Sequence, residues 1–146
     1  MARNAFSSRP FWTNQRGASA VEFALLMPIY LLVVLGALAY GIYFGAAHSV
    51  QQLAADAARV AVAGLNDTER ANLVHAYAQA NAQGYILLDP DRLEIVPEPS
   101  PHDENQFLVT VRYDASTLPI WNLYPPLPLP SQTIAYRSII RNGGPF

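Results

Sequence analysis

The chain has 146 residues, no cysteine and a net charge of −2. That excludes a disulfide framework, a thiolate metal site and a thiol nucleophile, and gives no electrostatic reason to expect a nucleic-acid partner. The charge is unevenly placed: residues 1–17 carry Arg3, Arg9 and Arg16 with no acid, whereas residues 48–146 carry six Arg against ten Asp and Glu.

The dominant feature is Phe23 to Ala47, 25 residues without a charge. As a helix at about 1.5 Å per residue they exceed the roughly 30 Å hydrocarbon thickness of a bilayer, so the segment reads as transmembrane. A buried core helix seldom stays apolar on every face for that length, and the rest of the chain is too small to wrap it. Three Arg residues precede the span, while His48, Asp56 and Arg59 are the first ionisable groups after it. The positive-inside rule therefore predicts a cytoplasmic N-terminus and a C-terminal domain across the membrane. Pro28 removes the usual donor to the carbonyl of Ala24, which predicts a local bend. Gly36, Gly41 and Gly45 are small residues of the kind that let helices approach closely in lipid.

Beyond the span the helical period continues. Val50, Leu53, Ala57, Val60 and Gly64 recur at spacings of three and four, one apolar stripe. No Gly-Pro punctuation intervenes, so residues 18 to about 63 read as one rod of roughly 70 Å. Asn66-Asp67-Thr68-Glu69 then reads as a helix start, with Asn66 as N-cap and Glu69 reaching back. That second helix is expected to run to about Gln83, with Leu73, Ala76, Tyr77 and Ala80 inward and Gly84 as its stop.

Three strands are expected next: Arg92 to Val96, Gln106 to Tyr113 and Thr133 to Arg141. In the second, Phe107, Val109, Val111 and Tyr113 share one face and Thr110 and Arg112 the other; in the third, Ile134, Tyr136 and Ile140 fall together. Pro97 to Asn105 reads as a Pro-rich, acidic loop. Leu118 to Pro130 has five prolines, which forbid a central strand, among apolar residues. It is either a loop that covers the sheet or a docking surface. The fold class is thus α+β: a long N-terminal transmembrane helix continuing into a helical stalk, a second helix and a small antiparallel sheet of about three strands. The domains are a leader at 1–17, a transmembrane helix at 18–47 and an outer domain at 48–146.

The segment Arg16-Gly17-Ala18-Ser19-Ala20-Val21-Glu22-Phe23 carries the functional signal. An acid at the entrance of an apolar helix is unfavourable, by about 2–3 kcal/mol at mid-bilayer and less near the edge, and asks for a compensating reason. A basic residue, a Gly, four small or apolar residues, then Glu and Phe leading into a span resemble the processing site of type IV prepilins. The run RGASAVEFALLMP, followed by the Ala-rich QQLAADAARVAVAG, resembles most closely the TadE-like minor pilins, or pseudopilins, of the tight-adherence (Flp) pilus. Only the first of these motifs is specific. VTVRYDASTLPIWNLYPPLPLP and SQTIAYRSIIR follow that family's order of strand, Pro-rich loop and strand.

The resemblance implies cleavage between Gly17 and Ala18 by a membrane-embedded prepilin peptidase, which makes this chain a substrate rather than an enzyme. Glu22 and Phe23 become the fifth and sixth residues of the mature chain, the positions implied for processing and assembly recognition. The implied partners are the peptidase, other pilins, inner-membrane pilus assembly proteins and the bilayer, with homo- or hetero-oligomers formed through the N-terminal helix. The implied location is a bacterial inner membrane, N-terminus inside, or the pilus itself. Ala at position 18, where major type IV pilins have an aromatic residue, and a whole outer domain favour a minor component. No cofactor is expected. His48, His75 and His102 are far apart, and Ser100, His102 and Asp103 are adjacent only in a Pro-rich loop. Two other readings use the same residues: an exported soluble binding module cut at Ala37-Leu38-Ala39, so that it starts at Tyr40, and an uncleaved bitopic scaffold.

Overall fold

The computed structural model describes residues 15–122, 128 and 130–141, with side chains from Gly17 onward. Its elements are a 47-residue helix α1 (Gln15–Ala61), a 15-residue helix α2 (Asp67–Asn81), and strands β1 (Leu93–Pro99), β2 (Gln106–Asp114) and β3 (Thr133–Arg141). The chain divides into two units, Met1–Gly36 and Ala37–Phe146, and α1 contributes to both.

In the first unit α1 runs through Pro28 without interruption. Every side chain from Ala18 to Val34 is exposed, large apolar ones such as Phe23, Leu25, Ile29 and Tyr30 included. The helix as a whole, from Gly17 to Ala61, is long and apolar enough to cross a membrane once.

In the second unit α1 is packed instead. Ala39, Ala46, Ala47, Val50, Leu53, Ala54, Ala57, Ala58 and Ala61 are buried. The stripe expected at Val50, Leu53 and Ala57 is therefore the packing face, and its alanines let the neighbouring backbone approach closely. The helix ends where Gly64 meets α2. A Cβ there would lie 2.6 Å from Cγ of Arg70 and 2.8 Å from its backbone nitrogen, so only glycine fits. The next helix starts as its sequence requires. Asn66 Oδ1 accepts from the Glu69 amide at 2.9 Å, and Glu69 Oε2 accepts from the Leu65 amide at 2.8 Å. Two orphan donors at the helix start are satisfied.

The inward face of α2 differs from the expectation. Val74 and Ala78 are buried, with Ala71 and Tyr77 partly buried in the core; Ala76 and Ala80 are exposed and Leu73 is half-buried. The helix is so rich in alanine that two stripes one residue apart are nearly equal in apolarity. Packing against β1 decides between them. α2 also stops at Asn81, and a 3-10 turn carries the chain to Gly84.

The sheet has the order β1-β2-β3 and is antiparallel throughout, with Leu93 opposite Tyr113 and Val111 opposite Tyr136. Phe107, Val109, Val111 and Tyr113 are all at most 2% exposed and join the core with the α1 stripe. The other face of β2 is covered at its centre too. Leu108 and Thr110 are buried, and Arg137 Nε donates to Thr110 Oγ1 at 3.2 Å. Neighbouring strands on both sides supply that cover; Arg112 bridges to Glu94 at 3.3 Å in the same way.

β1 runs further than expected, through Pro97 and Pro99, which pair in register with Val109 and Phe107. Prolines are tolerated because β1 is an edge strand whose alternate amides point away from β2. They also blunt that edge against pairing with another chain. From the Pro-rich segment, Leu118 and Ile120 are buried and Trp121 Nε1 donates to the Ala115 carbonyl at 2.6 Å. The covering role holds for this first part; residues 123–127 and 129 lie outside the described residues.

Candidate functional site at the start of the first helix

Gly17, Ala18, Glu22 and Phe23 occupy the first turns of α1 and are all exposed. Arg16 lies on the same helix one position earlier; Arg3 and Arg9 lie outside the described residues. The helical spacing puts Ala18 and Glu22 on one face, about 6 Å apart along the axis. Phe23 lies one position on and lines a shallow apolar groove with Leu26, Met27 and Tyr30.

Two features of this segment have no use among the described residues. A Cβ at Gly17 would meet nothing within 4 Å, so packing among the described residues does not require glycine there. Glu22 has no ion-pair partner among the described residues, whereas Asp56, Asp67, Asp89, Glu94 and Asp114 are all paired with arginines. A carboxylate left alone beside an apolar span is costly unless a cation arrives from elsewhere.

Other titratable side chains serve the outer unit. Tyr85 donates to Asp56 Oδ2 at 2.9 Å and sits 3.0 Å from the Tyr77 hydroxyl. Burial, then hydrogen bonding to Tyr77 and Asp56, pushes the Tyr85 phenol well above the ordinary tyrosine range. This network fastens the segment after α2 to α1, and sequence reasoning missed it. Only the tyrosine spacing hinted at it, and Tyr85 follows the break in helical period. Ser100, His102 and Asp103 close the β1–β2 loop: the His102 amide donates to Ser100 Oγ and the Asn105 amide to Asp103 Oδ1. Among the described residues no three His, Asp or Glu side chains converge as a metal site.

The fold and this segment define a class: a chain with, among its described residues, one helix fit to cross a membrane, the same helix contributing buried residues to a small α+β unit. A family model described as TadE-like protein matches residues 17–59, which begin at Gly17 and lie wholly within α1. The match agrees with the resemblance carried by RGASAVEFALLMP. No curated protein and no solved structure matches the chain.

Proposed function

We propose that this protein is a minor pilin or pseudopilin of a tight-adherence pilus, cleaved between Gly17 and Ala18 by a prepilin peptidase at the cytoplasmic face of a bacterial inner membrane. The arginines of the leader keep the N-terminus inside, and the unit carrying the sheet lies outside. The observation that carries the reading is Glu22, without an ion-pair partner among the described residues, one helical turn after Ala18 at the start of a bare apolar helix. Cleavage creates an α-ammonium at Ala18, with a reference pKa near 8. In a bundle of parallel helices, a neighbour's ammonium meets this carboxylate. Two charges that are each awkward in lipid then compensate, and one axial stagger is preferred over others. Gly17, which packing among the described residues does not require, suits a crowded peptidase pocket. The chain acts here as substrate and assembly component, not as catalyst, and its partners are other pilins and the inner-membrane assembly proteins.

The test is Glu22→Gln, scored by pilus output and by recovery of this chain with the filament or its assembly complex. The proposal expects both to fall while the processed chain still accumulates in the membrane. Unchanged output and incorporation would remove the role of the carboxylate.

A further inference from the structure

The two edges of the sheet are finished differently. On β1, Pro97 and Pro99 occupy positions whose amides would point away from β2, and the Leu93 amide donates to the Pro90 carbonyl. β3 is nine residues long and has no proline. Which of its amides point outward follows from the ladder. The Ala115 amide donates to the Gln132 carbonyl at 2.7 Å, so even-numbered residues of β3 bond to β2 and odd-numbered ones face away. The outward amide of Thr133 is taken by Ser131 Oγ at 3.2 Å. Those of Ala135, Arg137 and Ile139 have no acceptor among the described residues, and all three residues are exposed. Such a row of free donors is a template for another strand.

The charge along this edge has one sign and is uncompensated. Of the six arginines after residue 48, Arg59, Arg70, Arg92 and Arg112 are ion-paired. Arg137 and Arg141 have no carboxylate partner among the described residues, and both are on β3. Four apart in a strand, they lie on one face of the sheet with Ile139 between them, 56% exposed. Arg137 is held in place by the bond from its Nε to Thr110 Oγ1, which leaves its two outer nitrogens for a ligand. On the opposite face of the same edge Tyr136 is 38% exposed.

We propose that the outer edge of β3 is a docking strand, which a partner protein extends with an acidic β-segment. The open amides call for a strand, and the side chains beside them set its chemistry. A strand laid along β3 places its side chains about 5 Å from those of β3 on the same face. It needs carboxylates opposite Arg137 and Arg141 and an apolar side chain opposite Ile139, the pattern acid-x-apolar-x-acid. A second copy pairing through its own β3 would set unpaired arginines against each other. A second copy's β1 carries Glu94, Val96 and Glu98 in that order, but its prolines leave it the Ile95 amide alone as an outward donor. The proposal goes beyond the pilin reading and does not depend on cleavage after Gly17.

Residue-resolved amide exchange on the full chain tests it, first on dilute chain purified alone into nanodiscs of phosphatidylethanolamine and phosphatidylglycerol, then on complexes solubilised from its native membrane. Alone, Ala135, Arg137 and Ile139 should exchange at least about 100-fold faster than Tyr136 and Ser138, whose amides bond to β2. In the native complexes these outward amides should slow by at least about 10-fold, and either high salt or Arg141→Glu should reverse most of the slowing. Ile139→Pro deletes one outward donor and no bond to β2, so it should restore fast exchange at Ala135 and Arg137 while Tyr136 and Ser138 stay protected. Outward amides already slow in the dilute, isolated chain mean that the chain covers its own edge, and overturn the proposal. Equally fast exchange in both preparations overturns it too. Slowing that appears when the isolated chain is concentrated assigns the edge to a second copy, and slowing that survives both salt and Arg141→Glu removes the acidic partner; each contradicts the proposal.

Discussion

Leu53→Ala isolates what α1 does in the outer unit. Leu53 is fully buried and is, with Val50, one of two large fully buried side chains in a helix face whose other buried residues are alanines and Ser49. Removing three carbons forfeits roughly 2.4 kcal/mol of transfer energy, and a cavity term is added because the alanine-lined surroundings have few long side chains to fill the space. The helix propensity hardly changes, since both residues are good helix formers. The expected loss is about 3 kcal/mol of the outer unit's stability. Leu31→Ala is the matched control, an equal truncation at a side chain that is 45% exposed. Amide exchange at Val109 and Val111 of β2, followed in nanodiscs, reads the difference. Exchange there should speed up by roughly 100-fold for Leu53→Ala and stay within a few-fold for Leu31→Ala. Equal effects, or no effect at Leu53, would refute the division of α1 into a lipid-facing part and a packed part.

Asn66→Ala should cost the outer unit about 1 kcal/mol by freeing the Glu69 amide, and Asn66→Asp should recover most of it; thermal unfolding distinguishes the two. Gly64→Ala should be worse than its size suggests, about 1–3 kcal/mol, because the added carbon overlaps backbone of Arg70 rather than a movable side-chain tip. Tyr85→Phe should cost roughly 1–2 kcal/mol and release the segment after α2, seen as faster exchange at residues 85–88. The folded-state pKa of Tyr85 is raised above its ordinary value of 10.0. Its contribution is therefore complete below about pH 10 and is lost as pH rises beyond it. An alkaline titration of exchange at the turn should show that loss in the wild type and lack it in Tyr85→Phe.

Much of the fold was legible because periodicity and burial coincide. Phe107, Val109, Val111 and Tyr113 alternate and are buried. Asn66 and Glu69 form their cap because few other arrangements satisfy a helix start. Where several residues are equally apolar, pattern fails. Alanine at many positions of α2 hid the choice of Val74 and Ala78, which only tertiary packing makes. Pro97 and Pro99 read as loop because proline is a poor strand residue, a rule that an edge position suspends. Hydropathy also does not separate burial in lipid from burial in protein. Ala39, Ala46 and Ala47 belong to the uncharged run, yet they are covered by the chain itself. The candidate site was legible as residue types, since Gly17, Ala18, Glu22 and Phe23 do fall together on the start of α1. That Gly17 meets no packing constraint and Glu22 no ion-pair partner among the described residues is visible only in the structure.

The mature N-terminus, mapped by mass spectrometry on protein taken from its native membrane, tests the account at its root. Processing at the leader predicts a chain that begins with Ala18 and carries a free amine one turn from Glu22. A functional chain that begins at Met1, or at Tyr40, would contradict it.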